Sequence, residues 1–188
     1  MKLFSIFIMA LALTGCISIK YDANDIKIVG RNWESTKSSI EIGEVKYIPS
    51  TGIGERSIAA TGTIWTFFSD ISIDADIKIN ELVHTELNRA LSEVVLSQNK
   101  NSLCVLNVDV YYIKLNRFGG SISSTLRYSL LKDGAEKYKA KIDSNYLPDI
   151  FAKQPSEAQK ISSAVHKSFN ELVERPQFKS TLATECQS

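Results

Sequence analysis

Histidine and cysteine are scarce in this sequence, with two of the first and three of the second among 188 residues. No Cys-x-x-Cys pair occurs, so a zinc site or a thioredoxin-like redox site lacks groups at the spacing it needs. No block of five or six like charges occurs either, and 22 Lys plus Arg against 21 Asp plus Glu leaves a net charge of +1. Without a basic stripe there is no field to attract a phosphate backbone, and nucleic acid is not an expected partner. Gly52-Ile53-Gly54 and Gly119-Gly120 lack the following Gly, Lys or helix start of a phosphate-cradling loop. A catalytic Ser, Thr or Cys needs a neighbouring base. The two histidines, His84 and His166, fall in helical patterns beside Val83 and Val165 and read as interface or surface residues. The carboxylates are scattered. Glu81 and Glu86, five apart, fall on different helix faces, and Asp74 and Asp76 read as helix-start charges. No catalytic residue, bound metal or cofactor is therefore expected.

What is present describes one folded domain. Apolar residues make up 44 % of the chain and charged residues 23 %, ordinary values for a chain that buries a core. The N-terminus is unusual. Met1 and Lys2 give a short positive start, and Leu3 to Leu13 is an apolar run whose one hydroxyl is Ser5. A charged start, a short apolar stretch and small residues at its end form a secretory signal peptide. The run falls short of the roughly 20 residues a permanent span requires.

Leu13-Thr14-Gly15-Cys16 resembles the bacterial lipobox, in which an aliphatic residue, a small residue and Gly or Ala precede an invariant Cys. The resemblance covers the first sixteen residues. It implies that the chain is cut before Cys16, that the Cys16 thiol receives a diacylglyceryl group, and that the new amino group is acylated. Each buried CH₂ contributes about 0.8 kcal/mol, so three acyl chains hold where one is marginal. The competing reading is an ordinary signal peptide with a chance cysteine at its end. Ile17 follows the cysteine where an Asp would resemble the inner-membrane retention signal of enterobacterial lipoproteins. The resemblance thus implies the outer membrane, with the domain facing the periplasm. Of the other cysteines, Cys104 and Cys186, an oxidising periplasm permits a disulfide. The alternative is two separate thiols, with Cys104 buried as a small hydrophobe.

Residues 1–15 are thus expected as signal peptide, 16–39 as lipidated tether, 40–176 as the domain and 177–188 as a polar tail. In the tether, Ile26 to Val29 is a candidate short strand. Ile40 to Ile48 alternates and is rich in β-branched residues, which predicts a strand ended by Pro49. In that alternation Ile40, Ile42, Glu44, Lys46 and Ile48 share one side, and Glu41, Gly43, Val45 and Tyr47 the other. Thr51 to Asp70, low in charge and holding three glycines, reads as a long loop. Ile79, Val83, Leu87, Ala90, Leu91 and Val94 recur at helical spacing and predict a helix over 74–96, capped by Ser72 or Asp74. Three strands follow at 103–115, 122–131 and 136–146, with Lys132-Asp133-Gly134 as a tight turn between the last two. Ser156-Glu157-Ala158-Gln159 fits a capping box and opens the last helix, which Arg175-Pro176 stops. The expected fold is α+β, a two-layer sandwich with a mostly antiparallel sheet of about four strands and two helices on one face.

Three surfaces are candidates for binding. Ile64, Trp65, Phe67 and Phe68 sit in the long loop, and an exposed apolar patch of that kind marks contact with membrane, lipid or protein. The competing reading is a short strand or core plug. Lys137, Lys139 and Lys141 lie on one strand face and suit anionic headgroups, or else form a solvated face that discourages edge pairing. Tyr111, Tyr112, Tyr128 and Tyr138 read as cross-strand aromatic packing.

The order of elements resembles that of small outer-membrane lipoproteins: the lipopolysaccharide-assembly lipoprotein, the YajG-like lipoproteins and the auxiliary lipoproteins of ABC-type lipid transporters. The resembling stretches are Glu81-Leu82-Val83-His84-Thr85-Glu86-Leu87 with Arg89-Ala90-Leu91, the strands Val105 to Leu115 and Leu126 to Leu130, and the helix Ser156 to Val173. No short diagnostic motif accompanies them. The resemblance implies an accessory of envelope assembly or transport that binds a protein partner and catalyses nothing. The alternative expectation is a carrier or sensor that binds lipid or glycan directly. An envelope hydrolase would need a constellation that only folding brings together.

Overall fold

A computed structural model describes residues 18–25, 40–49, 52–61, 70–93, 104–116, 120–149 and 155–186. In chain order the elements are β1 (Ser18–Ile19), a 3-10 turn at Ala23–Asp25, β2 (Ile40–Tyr47), β3 (Ser57–Thr61), β4 (Asp70–Ala75), α1 (Ile79–Glu93), β5 (Cys104–Leu115), β6 (Ile122–Lys132), β7 (Ala135–Tyr146), α2 (Glu157–Glu174) and α3 (Pro176–Glu185).

The strands β5, β6 and β7 alternate strictly enough to bury one face each, and they form an antiparallel meander. The β6–β7 turn is tight. Asp133 and Gly134 both take positive φ, 50° and 77°, the pair of left-handed residues that suits a two-residue hairpin. Strand β5 is the spine of the sheet. Its free edge carries β2 from Cys104 to Val110 and β3 at Lys114 and Leu115, both parallel to it. Strand β4 returns antiparallel along β3, and β1 adds a parallel edge to β4. The sheet of the described residues therefore has seven strands in mixed orientation, in the order β1-β4-β3-β5-β6-β7 with β2 also on β5. The expectation of about four mostly antiparallel strands is corrected, while the α+β class holds.

The additional strands have physical reasons. Ser57 to Ala60 is buried at every position, so it carries no alternation to betray a strand, and its two alanines are weak strand formers. Ile71, Ser72, Ile73, Asp74 and Ala75 do alternate, with Ile73 and Ala75 buried and Ser72 and Asp74 exposed. The polar residues that resemble a helix cap are the outward face of β4. Helix α1 consequently starts at Ile79, whose backbone N–H donates to the Glu55 carbonyl at 3.0 Å.

Strand β2 departs from simple alternation. Its register against β5 shifts between Ile42 and Val45, and both of those residues are buried. The shift is a bulge that re-aims the second half of the strand. Glu44 N–H, freed from the ladder, donates to Asn107 Oδ1 at 2.9 Å. A methyl group at Gly43 would overlap that same Oδ1 and Val105 Cγ1. Gly43→Ala is expected to lower the unfolding free energy by about 1–3 kcal/mol, the usual result of overpacking, as read by urea denaturation of the purified domain.

The helices cover one face. Helix α1 lies against β2, α2 lies against β6, β7 and α1, and α3 lies against α2 and β7. Ile79, Leu82, Val83, Leu87 and Leu91 from α1 and Ile161, Val165, Phe169, Leu172 and Val173 from α2 are at most 1 % exposed. Each such side chain contributes about 1.5–3 kcal/mol by leaving water. The capping box at the start of α2 is formed: Gln159 N–H donates to Ser156 Oγ, and Ser156 N–H donates to Gln159 Oε1.

The C-terminal stretch expected as a polar tail is helical from Pro176 to Glu185. Phe178, Leu182 and Cys186 recur every four residues and point the same way into the core, where each is buried. Phe178 meets Tyr138 edge to face at 5.3 Å. Cys186 forms a disulfide with Cys104, across a Cα separation of 5.6 Å and 82 residues of sequence.

Candidate functional site

With α1, α2 and α3 on one side, no described element covers the other face of β5, β6 and β7. Its side chains are partly or fully exposed and mostly polar. The centre of this face is organised by a second bulge. The register between β5 and β6 shifts between Val110 and Tyr112. Val110 is buried on the helix side, and the bulge turns Tyr111 and the next residue, Tyr112, both toward the open side before Ile113 is buried again. Two adjacent tyrosines thus share a face where plain alternation would separate them.

Arg127 on β6 sits directly across from Asp109 on β5. Its Nε donates to Asp109 Oδ2 at 3.0 Å, a second guanidinium nitrogen bonds the same oxygen, and the guanidinium carbon stands 5.0 Å from the centre of the Tyr111 ring. Thr125 Oγ1 donates to Asp143 at 2.6 Å on the adjoining strand. Aspartate, arginine and tyrosine are therefore held in one arrangement by each other.

The expected tyrosine cluster does not form as one group. Tyr128 points to the helix side, fully buried, and donates to Ser168 Oγ at 3.0 Å. Tyr138 packs on Phe178. The lysine row is also broken. A bulge separates Leu130 from Leu131 on the partner strand, so Lys137 has no register partner and lies 3.6 Å from Glu185 of α3. Lys139 stays on the open face 2.7 Å from Glu136, and Lys141 lies 3.9 Å from Asp143. Each lysine thus has an acidic neighbour, which weakens the surface as an attractor of anionic headgroups. Cys16 and the segment Ile64, Trp65, Phe67 and Phe68 lie outside the described residues, as does the candidate strand Ile26 to Val29. The aromatic segment joins β3 to β4, whose ends Thr61 and Asp70 are paired.

A second cluster lies between the two long helices. Glu86 of α1 is fully buried. Its Oε1 accepts from the Tyr21 hydroxyl at 2.5 Å and from Arg89 at 3.1 Å. His166 Nε2 of α2 stands 2.9 Å from Oε2, at ion-pair distance but out of line for a hydrogen bond. Burial by itself pushes the Glu86 carboxyl up. The contacts of His166 and Tyr21 and the charge of Arg89 outweigh burial and hold it below the ordinary value. The Tyr21 phenol moves upward, first by burial and then by its bond to the Glu86 carboxylate.

Ser162, one turn before His166, is fully buried and its Oγ makes no hydrogen bond. His84 is exposed on α1 and contacts Asn88. Among the described residues no group of three His, Cys, Asp or Glu side chains is placed to hold a metal. What the Glu86 cluster does is tie three parts of the chain together: the N-terminal segment, α1 and α2. Glu86 follows Ile79 by seven residues and Leu82 by four, which puts it on the buried stripe of α1.

No protein-family model matches the chain. No curated protein matches it at a significant level. Solved structures with a related arrangement include the protein XCC0632 from Xanthomonas campestris, of the DUF330 family, at 12 % identity over 84 % of this chain and 89 % of that one, with a TM-score of 0.49. They also include a chain from Caulobacter crescentus provisionally described as a lipoprotein, at 17 % identity over 56 % of this chain and 83 % of that one, with a TM-score of 0.35. A third is PelC from Paraburkholderia phytofirmans, crystallised as a dodecamer, at 12 % identity over 79 % and 96 %, with a TM-score of 0.39. Among the described residues no helix is long and apolar enough to cross a membrane.

Proposed function

We propose that this chain is a non-enzymatic lipoprotein of the bacterial outer membrane, anchored through Cys16 and facing the periplasm. It serves as an assembly or transport accessory by holding a protein partner on the open face of its sheet. Leu13-Thr14-Gly15-Cys16 supports the anchor. The observation that carries the binding role is the bulge that presents Tyr111 and Tyr112 together beside Arg127.

Tyrosine and arginine dominate the residues that carry most of the energy of protein interfaces. Arg127 is already fixed by Asp109 and Tyr111, so a partner that docks on it freezes little additional motion. Ion pairs at the rim, such as Lys139 with Glu136, contribute mainly to partner choice and encounter rate. Ile64, Trp65, Phe67 and Phe68 are a second proposed contact, as an apolar segment of the connection between β3 and β4.

The test is chemical crosslinking in intact envelopes followed by mass spectrometry. Three forms are compared: the unaltered protein, a Tyr112→Ala, Arg127→Ala variant, and a Trp65→Ala, Phe67→Ala, Phe68→Ala variant. One dominant envelope protein crosslinked to the unaltered form, and reduced at least about tenfold in the first variant, is the expected result; two lost anchors at about 1–2 kcal/mol each are enough for that. If no form captures any protein, the accessory reading fails and direct binding of lipid or glycan takes its place.

A further inference from the structure

Ser18, Ile19 and Tyr21, expected as part of the tether, are bound to the folded domain. Ser18 and Ile19 form β1 and pair with Asp74 and Ala75 at the edge of the sheet. Ile19 is 1 % exposed and belongs to the core. Its carbonyl accepts from Asp76 N–H at 3.1 Å, and Tyr21 N–H donates to Asp76 Oδ1 at 3.1 Å. The Tyr21 side chain then reaches in to Glu86 at 2.5 Å, in the cluster with Arg89 and His166. Three of the four residues from Ser18 to Tyr21 are therefore fixed by strand pairing, burial or a charge-assisted hydrogen bond.

Resting on the reading of Cys16 as the lipid-bearing residue, we propose that this segment is a latch that holds the β1–β4 edge of the sheet against the bilayer. Cys16 precedes Ser18 by two residues, and an extended chain covers at most about 3.3–3.6 Å per residue. The acylated residue thus stays within roughly 7 Å of Ser18. Without the latch, the next described residue tied into the sheet is Ile40, 24 residues after Cys16, and the leash would extend to roughly 80 Å at most. Neighbouring strands are about 4.8 Å apart, so β7 lies roughly 24 Å from β1 across the five spacings of the sheet. The latch therefore fixes an orientation: the β1–β4 edge is next to the headgroups, and the β7 edge is remote from them. The open face with Tyr112 and Arg127 then stands across the membrane surface, free to meet a partner embedded in or resting on the same bilayer.

The experiment uses the mature acylated protein in vesicles of phosphatidylethanolamine and phosphatidylglycerol. A donor dye is attached at Ser72→Cys on β4 or at Lys141→Cys on β7, and acceptor dyes are carried on lipid headgroups. Energy transfer from the Ser72 site is expected to exceed transfer from the Lys141 site at least twofold. An Ile19→Asp, Tyr21→Ala variant is expected to erase that difference, and the milder Tyr21→Phe variant to narrow it. Cooperative thermal unfolding of each variant separates release of the latch from loss of the fold. Equal transfer from the two sites in the unaltered protein overturns the proposal, as does a full difference persisting in a folded Ile19→Asp, Tyr21→Ala variant. Failure of the protein to float with the vesicles, with an unacylated Cys16 by mass, overturns the anchor reading itself.

Discussion

Glu86→Ala lowers the free energy of unfolding by about 3–5 kcal/mol, the usual result when one partner of a buried ionic group is removed. The substitution leaves the Tyr21 hydroxyl without its acceptor, Arg89 without its counter-charge and His166 without its carboxylate neighbour. Three parts of the chain meet at this carboxylate, so the loss extends beyond α1. The N-terminal segment is expected to detach, which limited proteolysis near Tyr21 detects. Glu86→Gln keeps the volume and one acceptor and is expected to lose less. Equal stability of the Ala variant and the unaltered protein in urea denaturation would show that the cluster does not secure the latch.

The pH dependence follows from the same group. The folded-state carboxyl of Glu86 lies below its ordinary value of 4.5. Its contribution is therefore complete above about pH 4.5 and is lost as the pH falls through the folded value. The Tyr21 phenol is shifted above its ordinary 10.0. Its contribution is complete below about pH 10 and is lost as the pH rises toward the folded value. In the Glu86→Ala variant the part of the acid limb that belongs to this carboxyl disappears.

Reduction of the Cys104–Cys186 disulfide is the second large effect. The bridge closes 82 residues, and the chain-entropy relation assigns such a loop about 4.5 kcal/mol of stabilisation. Helix α3 has two buried anchors of its own, Phe178 and Leu182, together with the bridge. Cys186→Ser under oxidising conditions, or reductant on the unaltered protein, is expected to shift the urea midpoint by the equivalent of about 2–5 kcal/mol. Amide exchange over residues 176–185 is expected to rise before the rest of the domain opens. An unchanged midpoint would mean that the packing of Phe178 on Tyr138 holds α3 without the bridge.

The legible parts of the fold were those in which one local pattern decided the outcome. The meander β5–β6–β7 alternates over long strands, and the Asp133-Gly134 turn offers the residues its backbone demands. The α2 start carries a complete capping box. The illegible parts were decided by tertiary contacts. Ser57 to Ala60 is a strand because β4 and β5 flank it, and its burial on both faces leaves no period to read. Helix α3 has a weak apolar pattern, and the disulfide at its end completes it. The bulge that pairs Tyr111 with Tyr112 on the open face is a shift of register, which alternation alone does not announce.

The charge cluster was half visible. Glu86 falls on the apolar stripe of α1, and a carboxylate at a core position needs a partner. The sequence places Tyr21 before the expected domain and His166 eighty residues after Glu86, so only the fold brings them together. The same arrangement changes the reading of 16–39. Within that stretch, expected as tether, Ser18 and Ile19 pair with β4.

Anchoring, orientation and access to a partner all depend on a lipid at Cys16. The most direct measurement is the mass of the N-terminal peptide of the protein extracted from outer-membrane fractions. The expected result is a chain that begins at Cys16 and carries a diacylglyceryl group and an amide-linked acyl chain, with Cys16→Ala lost from the outer-membrane fractions. A chain with an unmodified Cys16 thiol, or one that begins at another residue, would contradict it.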